Sequence, residues 1–272
     1  MSILREMLSY AFLTRALIVG VLVSLCSALL GVPLVLKRYS MIGDGLSHVG
    51  FGALAVAAAL GAAPLAVAIP IVVAAAFLLL RLSSTGRIKG DAAIAMISTG
   101  SLALGVIVIS LSTGMNTETG NYLFGSILAM SEADVRLSLG ITAAVLALYV
   151  VFYHHIFAVT FDETFARATG RRAGACNALL SLLTALTVVV GMRMMGALLI
   201  SGLVIFPALS AMRLCRQFRH VIICASALSV LCFAAGTVAS YALAIPTGAS
   251  VVCVNILVLL CCFGVGRLRE HK

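Results

Sequence analysis

An aspartate and a histidine stand four residues apart inside an otherwise apolar stretch, Ser40-Met-Ile-Gly-Asp44-Gly-Leu-Ser-His48. On a helix, positions i and i+4 share a face, so the carboxylate and the imidazole lie one turn apart. That pair is a suitable donor set for Zn2+, Mn2+ or Fe2+. Two ligands alone hold a cation weakly. Two copies of the chain meeting on a two-fold axis would bring together two carboxylates and two imidazoles, a workable set for a divalent ion in transit. Spacing alone leaves two other readings open: an Asp–His pair that satisfies itself at a helix start, with Asp44 as a cap, or a proton relay. If the helix runs on from Arg38, the pair sits about 9–15 Å further along the axis, well inside a bilayer.

A second constellation is Thr160-Phe-Asp-Glu-Thr-Phe-Ala-Arg-Ala-Thr-Gly170-Arg-Arg172. Thr160 and Glu163 have capping-box spacing, and Gly170 is placed to end the helix in a left-handed cap. The sequence predicts a short, self-capped helix on a loop. Either it is simply solvated, or it docks a soluble partner with Phe161 and Phe165 as anchors. His154 and His155 read as polar anchors at an interface. Met192, Met194 and Met195 read as a flexible packing turn rather than soft ligands. Pro207 is expected to bend the span that holds it.

These residues need a scaffold, and the composition defines it. Of the 272 residues, 62% are hydrophobic and 10% charged, with a mean hydropathy of +1.20. A soluble domain is nearer a quarter charged. Too little polar surface exists to cover a water-exposed globule, which excludes a soluble enzyme, a nucleic-acid-binding protein and a disordered chain. The net charge of +9 is scattered in ones, twos and threes between apolar runs, as in loops that flank membrane spans. The 8 cysteines form no C-x-x-C and mostly lie within those runs, where they act as small packing residues.

A span needs roughly 20 apolar residues to cross a core about 30 Å thick. The sequence predicts an all-α polytopic bundle of eight or nine spans, near Ala16–Leu36, Leu46–Leu60, Pro64–Leu80, Ala92–Thr113, Val135–Tyr153, Cys176–Gly191, Gly196–Met212, Val221–Leu243 and Ser250–Val265. The second and sixth are short. The run from Ala16 has the length of a full span and reads as one rather than as a cleavable leader. The whole chain, 1–272, reads as a single transmembrane domain with its longest loop at about 154–175. Fourteen of the 18 basic residues fall on one side of this layout. By the positive-inside rule that side is cytoplasmic, with the N-terminus outside and the C-terminus inside. The segment Tyr122–Met130 is apolar but too short to span, and reads as a re-entrant or surface helix.

No G-x-x-x-x-G-K-[ST], G-x-S-x-G or H-E-x-x-H occurs, so nucleotide or peptide hydrolysis in this chain has no support. Several stretches, in order, resemble the permease subunits of ABC importers for zinc, manganese or iron(II). They are Leu34-Val-Leu-Lys-Arg-Tyr-Ser-Met-Ile-Gly-Asp44-Gly-Leu-Ser-His48; Asn121-Tyr-Leu-Phe-Gly-Ser-Ile-Leu128; Phe161-Asp-Glu-Thr-Phe-Ala-Arg-Ala-Thr-Gly170; Gly196-Ala-Leu-Leu-Ile-Ser-Gly-Leu-Val-Ile-Phe-Pro207; and Pro246-Thr-Gly-Ala249. The Gly-Asp-x-x-Ser-His element is the most specific. The coupling stretch carries Thr164 and Phe165 where an Asp-Pro-Glu-x-Ala pattern is common.

The resemblance implies a homodimeric permease in the cell membrane, working by alternating access with a cytoplasmic ABC ATPase dimer and an extracytoplasmic metal-binding protein. It implies Asp44 and His48 as metal ligands in the path, and Phe161, Asp162, Glu163, Phe165 and Gly170 as part of the ATPase-coupling helix. It implies a transported metal but no permanently bound cofactor, and no catalysis in this chain. The readings that compete with it are a secondary cation transporter and an ABC permease for a metal chelate such as a siderophore or cobalamin.

Overall fold

In lipid every backbone N–H and C=O must find its partner within the segment, so apolar runs parted by glycine, proline and basic turns fold as helices. The computed structural model describes residues 11–84, 90–112 and 132–270. Among these, the helices are α1 (Ala11–Leu36), α2 (Ile42–Ala59), α3 (Pro64–Ser84), α4 (Gly90–Leu111), α5 (Glu132–Val151), α6 (Tyr153–Phe161), α7 (Glu163–Ala168), α8 (Ala173–Met195), α9 (Ala197–Leu214), α10 (Phe218–Leu243) and α11 (Thr247–Glu270). All except α6 and α7 are long and apolar enough to cross a membrane, which makes nine among the described residues. The segment Tyr122–Met130 lies outside them.

The two spans that hydropathy makes short are full helices. The second begins at Ile42 rather than Leu46, and the sixth runs from Ala173 to Met195. Gly43, Asp44, Ser47 and His48 lower the hydropathy of α2, yet α2 is the most enclosed of the nine. Gly43 and Ser47 are buried against protein, while Asp44 and His48 are half-buried.

The core is built around α1, which packs on α5, α8, α9 and α10, while α2 lies among α3, α4, α8 and α9. The contact of α2 with α4 is the closest-knit: a Cβ on Gly52 would stand 2.7 Å from the Ser101 carbonyl oxygen, and one on Gly105 2.9 Å from Gly52 Cα. Small residues let two backbones approach where lipid supplies no hydrophobic drive. Met192, Met194 and Met195 are buried in this core, as packing residues are. None of the eight cysteines is in a disulfide, and Cys26 donates to the Thr142 carbonyl at 3.6 Å.

Polar pairs mark the two ends of the bundle. Arg15 near the start of α1 meets Glu132 at the start of α5 at 2.6 Å. At the other end, Lys37 just after α1 meets Glu163 at the start of α7 at 3.4 Å. These pairings fit spans that alternate in direction. Alpha-helical geometry stops after Leu36 because Arg38 takes a left-handed φ of 62°, and Tyr39 N–H donates back to the Leu34 carbonyl at 2.8 Å. A left-handed arginine costs about 1 kcal/mol, so this tight break is enforced by its surroundings.

Candidate functional site

Because α1 ends at Leu36 and α2 starts only at Ile42, Asp44 lies in the first turn of α2, with Ser47 and His48 one turn further on. It does not cap that helix. Met41 holds the N-cap position and makes no side-chain cap bond. Instead Asp44 Oδ1 accepts a hydrogen bond at 3.2 Å from Ser201 Oγ on α9. Its depth follows from that contact. Ser201 is thirteen residues from the end of α9 at Leu214, or about 20 Å of helical rise.

The other carboxylate oxygen, Oδ2, stands 3.7 Å from His48 Nε2. That is too long for a hydrogen bond. It is close to the spacing of two donors that share one cation at about 2.0–2.2 Å each. His48 Nδ1 is buried and has no hydrogen-bond partner. The two side chains thus face each other at ion-pair distance with no direct hydrogen bond between them. The Asp44 and His48 side chains keep 38% and 25% exposure, on a helix that is otherwise enclosed. An ionisable pair on an open face of a span is placed to meet water or another protein surface.

Among the described residues no third His, Cys, Asp or Glu joins the pair to make a metal-holding group. One chain thus supplies two strong donors and, at Asp44, one hydroxyl neighbour. The sequence reading did not single out Ser201. Within Gly196–Pro207 it is one serine in an apolar span, and its single hydroxyl proton is shared between Asp44 Oδ1 and the Ala197 carbonyl at 3.1 Å, the latter the usual partner of a helical serine.

The second constellation folds as two helices, not one. Thr160 belongs to α6, where its hydroxyl donates to the Ile156 carbonyl at 2.6 Å, so it caps nothing. Asp162 is the N-cap of α7 and accepts from Phe165 N–H at 2.8 Å. Thr160–Glu163 spacing suggested a capping box, but the helix before the break absorbs Thr160, and the aspartate next to the break takes the role. Gly170 has φ 80°, as a left-handed cap requires. Phe161 and Phe165 are 59% and 65% exposed. Phe161 also packs edge-on against Phe218 of α10, with centroids 5.6 Å apart. Phe165 makes the freer apolar surface. His154 and His155 are exposed on α6 beside Tyr153 and Phe152.

Glu163 turns inward, toward Lys37 and Asn177, while its other oxygen accepts from Arg167 at 2.5 Å. Partial burial pushes its carboxyl up, but the Asn177 hydrogen bond, the Lys37 charge and the Arg167 pair outweigh burial and hold it below the ordinary range. For Lys37, burial dominates and lowers the ammonium value, opposed by Glu163.

Nine candidate spans among the described residues, the enclosed polar helix α2 being one of them, with the short capped helix α7 at a basic end, define a polytopic membrane transport subunit. A family model described as the ABC 3 transport family matches residues 9–266, and the chain belongs to that family. It is a transport component of permease type rather than an enzyme. A manganese transport system membrane protein, MntC of Halalkalibacterium halodurans, is 30% identical over 249 residues, covering 92% of this chain and 85% of the relative. The manganese import system permease ScaB of Streptococcus gordonii is 29% identical over 262 residues, covering 96% and 94%. Among solved structures, PsaBC from Streptococcus pneumoniae in complex with Fab superposes with a TM-score of 0.85 at 28% identity, covering 96% and 94%.

Proposed function

We propose that this chain is the membrane permease of an ATP-driven importer for a divalent metal ion, with manganese the first candidate. The observation that carries the reading is the Asp44–His48 pair, half-buried on a helix that is otherwise enclosed, with its facing Oδ2 and Nε2 3.7 Å apart and His48 Nδ1 without a hydrogen-bond partner. A second copy across a two-fold axis would complete a site of two carboxylates and two imidazoles. The donors are oxygen and imidazole nitrogen with no thiolate, a set that suits Mn2+ and also accepts Zn2+ or Fe2+. Two relatives named for manganese support putting that ion first.

The basic end, with Lys37, Arg38, Arg167, Arg171, Arg172, Arg213, Arg216 and Arg219, faces the cytoplasm by the positive-inside rule. A soluble ATPase dimer then docks on α7, with Phe165 as the exposed anchor, Phe161 beside it, and Asp162 and Gly170 fixing the helix ends. An extracytoplasmic binding protein delivers the ion on the opposite side. ATP binding to the ATPase moves the α7 pair, and the paired spans open to one side at a time. The site must hold the ion only modestly, because an ion bound too well would not leave.

The test is uptake into proteoliposomes by the complete complex, with Mn2+, Zn2+ and Fe2+ supplied separately. Uptake should need ATP. Asp44→Ala and His48→Ala should each lower it below about one-tenth of wild type while the complex still assembles. Normal uptake in both variants would remove these residues from the path. Gradient-driven uptake by the chain alone would replace the ATP-driven reading with a secondary transporter.

A further inference from the structure

Three side chains from three separate elements close a ring at the basic end of the bundle. Lys37 follows α1, Glu163 opens α7, and Asn177 lies in the second turn of α8. Lys37 Nζ donates to Asn177 Oδ1 and stands 3.4 Å from Glu163 Oε2. Asn177 Nδ2 donates to that same glutamate oxygen at 3.0 Å. The Lys37 side chain is only 10% exposed. A lysine serving merely as a topological signal would extend into water; this one is drawn in and held.

The ring stands on the wall of a partly open cavity of about 450 Å³ that is also lined by Leu79, Leu80 and Ser83 of α3 and by Ile94 of α4. Densely packed protein has little such space. A relative shift of α7 and the α1 terminus against the α3–α4 pair requires space of this kind. From Lys37 the chain reaches α2 through a hydrogen-bonded turn: Tyr39 N–H to Leu34 O at 2.8 Å, Ile42 N–H to Tyr39 O at 3.1 Å, and Gly45 N–H to Met41 O at 3.0 Å. Asp44 is seven residues beyond Lys37. A displacement of α7 has a short, hydrogen-bonded route to the carboxylate.

We propose that the Lys37–Glu163–Asn177 ring is the transmission link through which movement of the ATPase-docking helix α7 reaches the helix that carries Asp44 and His48. This rests on the importer reading above. Lys37 and Asn177 are positioning residues: they touch neither ion nor nucleotide.

The experiment uses the complete complex in proteoliposomes, reading Mn2+ uptake and ATP hydrolysis in the same preparation, with Mn2+ binding to the detergent-solubilised complex as a third readout. Lys37→Met keeps the apolar stem and removes the charge; Asn177→Leu keeps the volume and removes both hydrogen bonds. Each should leave ATP hydrolysis and Mn2+ binding near wild type while uptake per ATP falls about tenfold. Lys37→Arg should recover most of the loss. The swap Lys37→Glu with Glu163→Lys should transport better than Lys37→Glu alone, which also decides the matter if Lys37→Met fails to assemble. Wild-type coupling in Lys37→Met, or a swap no better than the single change, would overturn the link. A wild-type complex that hydrolyses ATP but moves none of the three metals would instead sink the importer reading, so the two failures are distinct.

Discussion

Ser201 on α9 donates a hydrogen bond to Asp44 on α2 at 3.2 Å, joining two helices far apart in sequence at the one carboxylate of the candidate site. The bond occupies Oδ1 and leaves Oδ2 toward His48. A hydroxyl here orients the carboxylate and gives it a polar partner within a span. Ser201→Ala should therefore weaken the apparent affinity for the metal. A hydrogen bond to a charged group is worth about 1.5 kcal/mol or somewhat more, which is on the order of tenfold in KM. The maximal rate should change little, and Ser201→Thr should behave as wild type. An unchanged KM in Ser201→Ala would detach this residue from the site.

The span layout was legible in the sequence because hydrophobic length is a strong signal, and Asp44 and His48 stood out because ionisable residues rarely enter a span. Other features were hidden for definite reasons. The start of α2 depends on the left-handed Arg38, a conformation that nothing in Lys37-Arg-Tyr-Ser announces. Ser201 is silent because a helical serine usually bonds its own backbone. Lys37 read as one more basic loop residue; its inward turn depends on Glu163 and Asn177, which the chain reaches 126 and 140 residues later. The cap of α7 was misplaced by two residues because α6 continues to Phe161 and takes Thr160 with it.

Packing of α2 on α4 should tolerate no side chain at Gly52. An added Cβ there meets the Ser101 carbonyl oxygen at 2.7 Å, a backbone atom that can yield only if α4 moves. Gly52→Ala should cost about 1–3 kcal/mol, seen as a lower Tm in detergent. Gly100→Ala on α4 is the contrasting case, because nothing lies within 4 Å of its added Cβ. That change should be neutral or stabilise by up to about 1 kcal/mol. Equal effects from the two substitutions would contradict the α2–α4 contact.

The two exposed phenylalanines should separate on substitution. Phe165 is 65% exposed and its backbone, not its ring, serves the cap of α7. Phe161 belongs to an aromatic cluster with Phe157 and Phe218. Phe165→Asp should leave Tm unchanged and abolish binding of the ATPase in a pull-down with the purified partner. Phe161→Asp should lower Tm as well, by the loss of aromatic pairs worth about 0.5–1.5 kcal/mol each. Undiminished ATPase binding by Phe165→Asp would move the docking surface elsewhere.

The pH response of the Lys37–Glu163–Asn177 ring has a definite sign. Burial raises the Glu163 carboxyl, but the Asn177 hydrogen bond and the charges of Lys37 and Arg167 prevail, so its folded value lies below the ordinary 4.5. A depressed carboxyl stabilises the fold fully above its unfolded value and loses that contribution as pH falls through the folded value. Glu163→Gln removes the charge at every pH. The difference in Tm between wild type and Glu163→Gln should therefore be constant above about pH 5.5, where the unfolded carboxyl is already ionised, and shrink as pH drops below 4.5. A gap that stays constant, or widens on acidification, would show that the Glu163 carboxylate does not stabilise the ring.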